Sequence, residues 1–192
     1  CEVILASGLK TVEITMNTPD APKLIWELQK QLNDPSVQIG AGTVLSVEEY
    51  QRAIDAGAQF IVMPATLEEV VSRCKAENIP VFPGALTPDE IFKAWKAGAT
   101  MVKVFPSSLF GPPYFKELRG PYSDIPLMAC GGIRPDNIHD YFDCGANAIA
   151  FGGSVFAPQR FKDHAISDIT NDLKALISAF RDHEQKKEKS NS

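Results

Sequence analysis

The sequence is poor in the residues that build metal sites and covalent cross-links. Its four cysteines, Cys1, Cys74, Cys130 and Cys144, form no C-x-x-C pair, and its three histidines, His139, His164 and His183, have no H-x-x-x-H spacing. Neither a zinc site nor a disulfide framework is indicated, and no metal or other cofactor is expected. A basic stripe is also lacking: the net charge of -5 is spread along 192 residues, so nucleic acid is not an expected partner. No run approaches the ~18 apolar residues of a bilayer span, and no basic segment followed by an apolar core opens the chain. A membrane is therefore not an expected partner, and the cytoplasm is the expected location. The dinucleotide fingerprint G-x-G-x-x-G is missing too, which counts against an open doubly wound sheet.

What the chain does have is repetition. A small residue and Gly followed by an apolar run recur as Ser7-Gly8-Leu9, Ala56-Gly57-Ala58, Ala97-Gly98-Ala99 and Cys144-Gly145-Ala146. Each phrase closes a helical pattern with a residue suited to the left-handed position, then opens a strand: 11–15, 60–63, 101–105 and 148–151. Three further short apolar runs, 38–42, 80–83 and 127–130, bring the expected strands to seven. Thr18-Pro19, Ser46 with Glu49, Thr66 with Glu69, and Thr87-Pro88 read as helix starts. Strand and helix alternate in units of roughly twenty residues, which predicts a parallel sheet with helical crossovers. The fold class expected is α/β, a (β/α)8 TIM barrel. Its first strand is expected to lie outside the numbered chain, which opens on what reads as the end of a helix. One barrel domain is expected over 1–180. The polar residues 181–192 read as a frayed helix end and a disordered tail.

Two charges stand in mid-strand, where a parallel strand covered on both faces should be apolar. They are Glu13 in Thr11-Val12-Glu13-Ile14-Thr15 and Lys103 in Met101-Val102-Lys103-Val104-Phe105. Alternation puts Lys103 on the face of Met101 and Phe105. If that face points into a barrel, burial favours the neutral amine and makes it a nucleophile toward a ketone, with Glu13 as proton carrier. The alternative is a buried ion pair, or a lysine snorkelling at an edge.

Gly131-Gly132 follows the expected strand 127–130, and Gly152-Gly153-Ser154 follows 148–151. In barrels of this kind a phosphate sits on backbone N–H groups offered by the loops after the last two strands. Ordinary turns are the alternative for either motif alone. Thr43 ends a strand and offers a hydroxyl, or else caps the next helix. Pro64 and the Phe105-Pro106 pair either line a pocket or only end strands. His139 reads as a surface residue.

Taken in order, Val12-Glu13-Ile14-Thr15, Ile39-Gly40-Ala41-Gly42-Thr43-Val44, Val102-Lys103-Val104-Phe105-Pro106-Ser107-Ser108, Gly131-Gly132-Ile133 and Phe151-Gly152-Gly153-Ser154 resemble one family. It is that of the 2-keto-3-deoxy-6-phosphogluconate and 2-keto-3-deoxy-6-phosphogalactonate aldolases. The resemblance runs from Thr11 to about Ser154. It implies a lyase, a class I Schiff-base aldolase that reversibly cleaves a 2-keto-3-deoxy-6-phospho-aldonate to pyruvate and glyceraldehyde 3-phosphate without a metal. It further implies an imine on Lys103, a proton shuttle at Glu13, and Thr43, Pro64 and Phe105 around the pyruvoyl group. The phosphate would lie on Gly131, Gly132, Gly152, Gly153 and Ser154. A homotrimer is the family's usual assembly.

Asn17 stands where the phosphogluconate enzymes usually carry Arg, and Ala129-Cys130 where they carry Pro-Thr. Both lean toward the phosphogalactonate branch, while Gly153-Ser154 leans the other way. The two substrates differ only at C4, so Asn17 and Cys130 are counted as substrate-binding candidates. Two other functions fit the same scaffold: a sugar-phosphate isomerase or epimerase in which Lys103 is only electrostatic, and a non-catalytic sugar-phosphate-binding protein.

Overall fold

Four helices end in the same way. At the end of the helix Val47–Asp55, Gly57 donates to Ile54 and Ala58 to Ala53; at Pro88–Ala97, Gly98 donates to Trp95 and Ala99 to Ala94; at Ile138–Asp143, Gly145 donates to Phe142 and Ala146 to Tyr141. These paired bonds satisfy carbonyls that a helix end leaves bare, and they need a positive φ, which glycine adopts without strain. The helix Glu68–Ala76 closes identically with Asn78 at φ 57° in place of glycine. Each motif turns the chain directly into a strand.

A computed structural model describes residues 4, 6–32, 34–157, 159–160 and 166–190, apart from the side chains of 187, 188 and 190. Contacts divide the chain into two units, Lys10–Val104 and Phe105–Ser192, the latter joined by the residues up to Leu9.

In the Lys10–Val104 unit, β1 (Thr11–Thr15), β2 (Gln38–Gly42), β3 (Ile61–Val62) and β4 (Val81–Phe82) form a parallel sheet in chain order. Glu13 is level with Gly40, and Thr15 with Gly42. Two short strands, β5 (Gly84–Ala85) and β6 (Val102–Val104), pair in parallel, Gly84 beside Lys103. Pro83 lies between β4 and β5. Having no N–H to give a ladder, it divides in two what reads as the single run 80–83 and its continuation.

Between the strands lie α1 (Ala21–Gln31), α2 (Val47–Asp55), α3 (Glu68–Ala76) and α4 (Pro88–Ala97). Ile25, Ile39, Ala41, Ile61, Val70, Ile91 and Val102 are fully enclosed. Each large aliphatic among them contributes ~1.5–3 kcal/mol by leaving water.

Two of the four expected helix starts hold as capping sites. Ser46 accepts the Glu49 N–H at 3.1 Å, and Thr87 forms a complete capping box with Glu90. Thr66 does not cap α3; its hydroxyl donates instead to the Gly84 carbonyl at 3.0 Å, and Leu67 holds the cap position. Thr18 is likewise engaged, its hydroxyl 3.0 Å from that of Thr15, and α1 starts three residues later behind Asp20 in a left-handed conformation.

In the Phe105–Ser192 unit, a 3-10 turn (Ser107–Leu109) leads to α5 (Pro112–Arg119), β7 (Leu127–Cys130), α6 (Ile138–Asp143), β8 (Ala148–Ala150) and α7 (Ile166–Ser190). Strands β7 and β8 pair in parallel, Cys130 level with Ala150. Arg119 braces this pair. Its guanidinium donates to the carbonyls of Gly145, Tyr122, Ser123 and Ile125 and to Asn147 Oδ1, which also takes the Leu127 N–H.

Helix α7 continues through Ser190, past the point where the polar composition predicts fraying. At the start of that stretch His183 stacks on Phe142 at 4.6 Å, and Phe180 just before it tilts against the same ring. No described helix is long and apolar enough to cross a membrane.

Candidate active site

The first cluster belongs to the Lys10–Val104 unit. Lys103 is only 7% exposed in the middle of β6, and its N–H donates to the Pro83 carbonyl at 2.9 Å. Its neighbour in register is Gly84, where an added Cβ would collide with the carbonyl of Pro64. The chain at Pro64 thus lies directly against the strand beside Lys103. The buried Lys103 charge acts on Glu13.

Glu13 keeps contact with solvent, yet burial raises its pKa above the ordinary 4.5, an effect the Lys103 charge partly opposes. Its carboxylate extends over the end of β2. A Cβ on Gly42 would come 2.5 Å from Glu13 Oε1 and 2.8 Å from Cδ.

Thr43 follows at φ 54°. A β-branched side chain in the left-handed region is a strained conformation, of the kind found at functional sites. Ser46, not Thr43, caps α2, so the capping alternative for Thr43 falls away. Asn17 is exposed in the turn after β1, and Pro64 is half-buried after β3.

The second cluster belongs to the other unit. Gly131 and Gly132 have successive positive φ values of 98° and 75° behind β7, a backbone that glycine adopts without strain. The 3-10 turn lies against them, leaving 2.7 Å between an added Cβ on Gly132 and the Ser108 Cβ. Ser107 ties the same place to β7, its hydroxyl accepting the Cys130 N–H at 3.0 Å. Behind β8, Ser154 donates its hydroxyl to the Ile133 carbonyl at 2.6 Å, linking the two glycine loops. Val155 and Phe156 donate to the Gly152 carbonyl, and Arg160 fastens this turn, bonding the Val155 carbonyl and Asp172.

Gly152 and Gly153 have neither a left-handed φ nor any atom within 4 Å of an added Cβ. Phe105 and Cys130 are half-buried at the start of the unit and the end of β7, the former in a cis bond to Pro106. His139 is half-buried on α6. Among the described residues no group of three or more His, Cys, Asp or Glu side chains could hold a metal ion.

The sequence reading singled out the charges and the glycine pairs. It missed Gly42 and Gly84 as residues that make room. The available signal was two glycines inside strand patterns, which mark a close approach of another group.

The sequence profile of the KDPG and KHG aldolases matches residues 1–171. The chain is 33% identical over 180 residues to the 2-dehydro-3-deoxy-6-phosphogalactonate aldolase of Escherichia coli strain K12, covering 93% of this chain and 85% of that one. It is similar to a native KDPGal structure, with TM-score 0.87, 32% identity and coverage of 96% and 87% of the two chains. It is also similar to KDPG aldolase from Legionella pneumophila, solved with pyruvate captured as a covalent carbinolamine, with TM-score 0.82, 27% identity and coverage of 91% and 84%. The parallel α/β architecture is of the TIM-barrel type these proteins share. A buried mid-strand lysine beside a carboxyl, followed in order by two glycine loops, is thus found in a class I aldolase: the chain belongs to the KDPG and KHG aldolase family.

Proposed function

We propose that the protein cleaves a 2-keto-3-deoxy-6-phospho-aldonate, of the phosphogluconate or phosphogalactonate type, to pyruvate and glyceraldehyde 3-phosphate. The observation that carries the assignment of residues is the buried Lys103 amine acting on a carboxyl, Glu13, whose pKa burial has raised. A carboxyl whose proton is held more tightly than usual is suited to accept a proton and return it within one turnover.

The amine of Lys103 attacks the C2 ketone, and the resulting carbinolamine loses water to give a protonated imine. Glu13 takes the C4 hydroxyl proton; the C3–C4 bond breaks, its electron pair enters the imine to form an enamine, and the aldehyde departs. The protonated Glu13 returns its proton to C3. Water then hydrolyses the pyruvate imine and releases the lysine.

Thr43 holds the pyruvoyl group, with Pro64 and Phe105 against it. Asn17 and Cys130 are assigned to the region of C4. The phosphate is assigned to the N–H groups of Gly131, Gly132, Gly152, Gly153 and Ser154. In support, among the described residues nothing lies within 4 Å of a Cβ placed on Gly152 or Gly153, and a bare backbone there suits the close approach of a phosphate. Bound there, the phosphate supplies binding energy that holds the reacting carbons in place. By the same family resemblance the protein is assigned to the cytoplasm and to a homotrimer.

Borohydride reduction in the presence of pyruvate, followed by intact mass and peptide mapping, tests the reaction class and the residue together. A pyruvate-derived adduct on Lys103 is expected. An adduct on another lysine, or none in folded protein that binds pyruvate, overturns the assignment of Lys103.

A further inference from the structure

Gly42 closes β2 in an ordinary strand conformation, and the left-handed φ in this turn falls on its neighbour Thr43. Backbone preference would assign the two residues in the reverse order, a β-branched side chain in the strand and glycine after it. A strand glycine gives up chain entropy and packs no side chain, so its presence needs another reason. Glu13 provides it: the volume a methyl group would fill at position 42 is occupied by the Glu13 carboxylate, 2.5 Å from Oε1 and 2.8 Å from Cδ.

The two strands have little scope to move apart. They are in register from Thr11 with Gln38 to Thr15 with Gly42, and the Met16 N–H donates to the Gly42 carbonyl at 2.8 Å. An added methyl is therefore accommodated by the flexible partner, the Glu13 side chain, which must rotate away.

We propose that Gly42 is a positioning residue for proton transfer: its missing side chain is the space in which the Glu13 carboxylate stands. The inference rests on the reading of Glu13 as proton carrier and adds what holds that carrier in place. In the half-reaction with pyruvate, a methyl C–H bond of the imine breaks, its electron pair enters the enamine, and the proton passes to Glu13. Displacing the acceptor by about 1 Å is enough to slow such a step ~100-fold. Lys103 needs no help from position 42 to form the imine.

The test is Gly42→Ala, read by NMR exchange of the pyruvate methyl protons in D2O and by borohydride trapping on Lys103. Trapping within about twofold of the parent is expected, with exchange ~100-fold slower. The Gly42→Ala/Glu13→Gln double variant should be no slower than Glu13→Gln alone, because both changes act on one group. Parental exchange in Gly42→Ala, with exchange still lost in Glu13→Gln, overturns the role of Gly42 and leaves that of Glu13 standing. Parental exchange in Glu13→Gln overturns both. If Gly42→Ala fails to fold or to trap pyruvate, Glu13→Asp is added, which withdraws the carboxylate by about one bond length, ~1.5 Å. Recovery traces the loss to the carboxylate contact, and no recovery overturns the proposal.

Discussion

In the Lys10–Val104 unit the charges of interest stand inside strands, Glu13 in β1 and Lys103 in β6. In the Phe105–Ser192 unit the strands Leu127–Cys130 and Ala148–Ala150 carry no charge, and glycine pairs follow them. The contrast matches two kinds of chemical work. Forming a covalent bond and moving a proton need side chains of tuned basicity at fixed positions, and that requires taking charge out of water. Holding an anion needs several N–H groups at close range, which side chains would obstruct. On the proposed roles, one unit carries the cost of desolvated charge, and the other uses glycines to leave its backbone bare.

The sharpest way to break this division is Lys103→Ala. Turnover should fall on the order of 10⁴-fold or more, the scale of a lost nucleophile. Inorganic phosphate, followed by NMR shifts of Gly131, Gly132, Gly152 and Gly153, should bind within about twofold of the parent. A parallel loss of phosphate binding would show that the two tasks are not separable.

Ser154→Asp is the reciprocal change. Repulsion should raise KM for the phosphorylated substrate by ~10- to 100-fold while pyruvate methyl exchange stays within about twofold. The same change removes the bond to the Ile133 carbonyl, so Ser154→Ala, which loses the bond without gaining charge, is the control. Equal KM increases in both variants would locate the effect in loop structure and not in charge.

The smallest effect concerns stability. Because burial raises the Glu13 pKa, the folded state holds that proton more tightly than the unfolded chain. Its contribution to stability is full below the ordinary value of 4.5 and is lost as pH rises through the folded value. Glu13→Gln cannot ionise, so its Tm should exceed the parent's at pH 7, with the gap closing toward pH 4. A lower Tm at pH 7 would mean that attraction to Lys103 outweighs desolvation.

How much of this was readable in advance depended on range. The helix ends at Gly57, Gly98 and Gly145 were legible because their motifs are contained in a few consecutive residues. The glycine pairs and the two strand charges were legible because each contradicts its local pattern. Thr66 was misread as a cap because its partner, the Gly84 carbonyl, is 18 residues away. The left-handed φ of Thr43 has no local signal, since that region favours Gly, Asn and Asp over a β-branched residue. The room that Gly42 makes depends on a neighbouring strand and could not be read along one.

Arg119 bears on what acid and salt would do to the second unit. Its partners are four carbonyls and an amide oxygen, groups that do not titrate and carry no net charge for ions to screen. Arg160 is different: it secures the turn after β8 through a 2.7 Å contact with Asp172, a carboxylate whose hold depends on its charge. High salt would weaken that contact while leaving the brace under β7 and β8 in place. Recovery of the glycine loops on return to low salt would then be a local re-docking onto a standing frame.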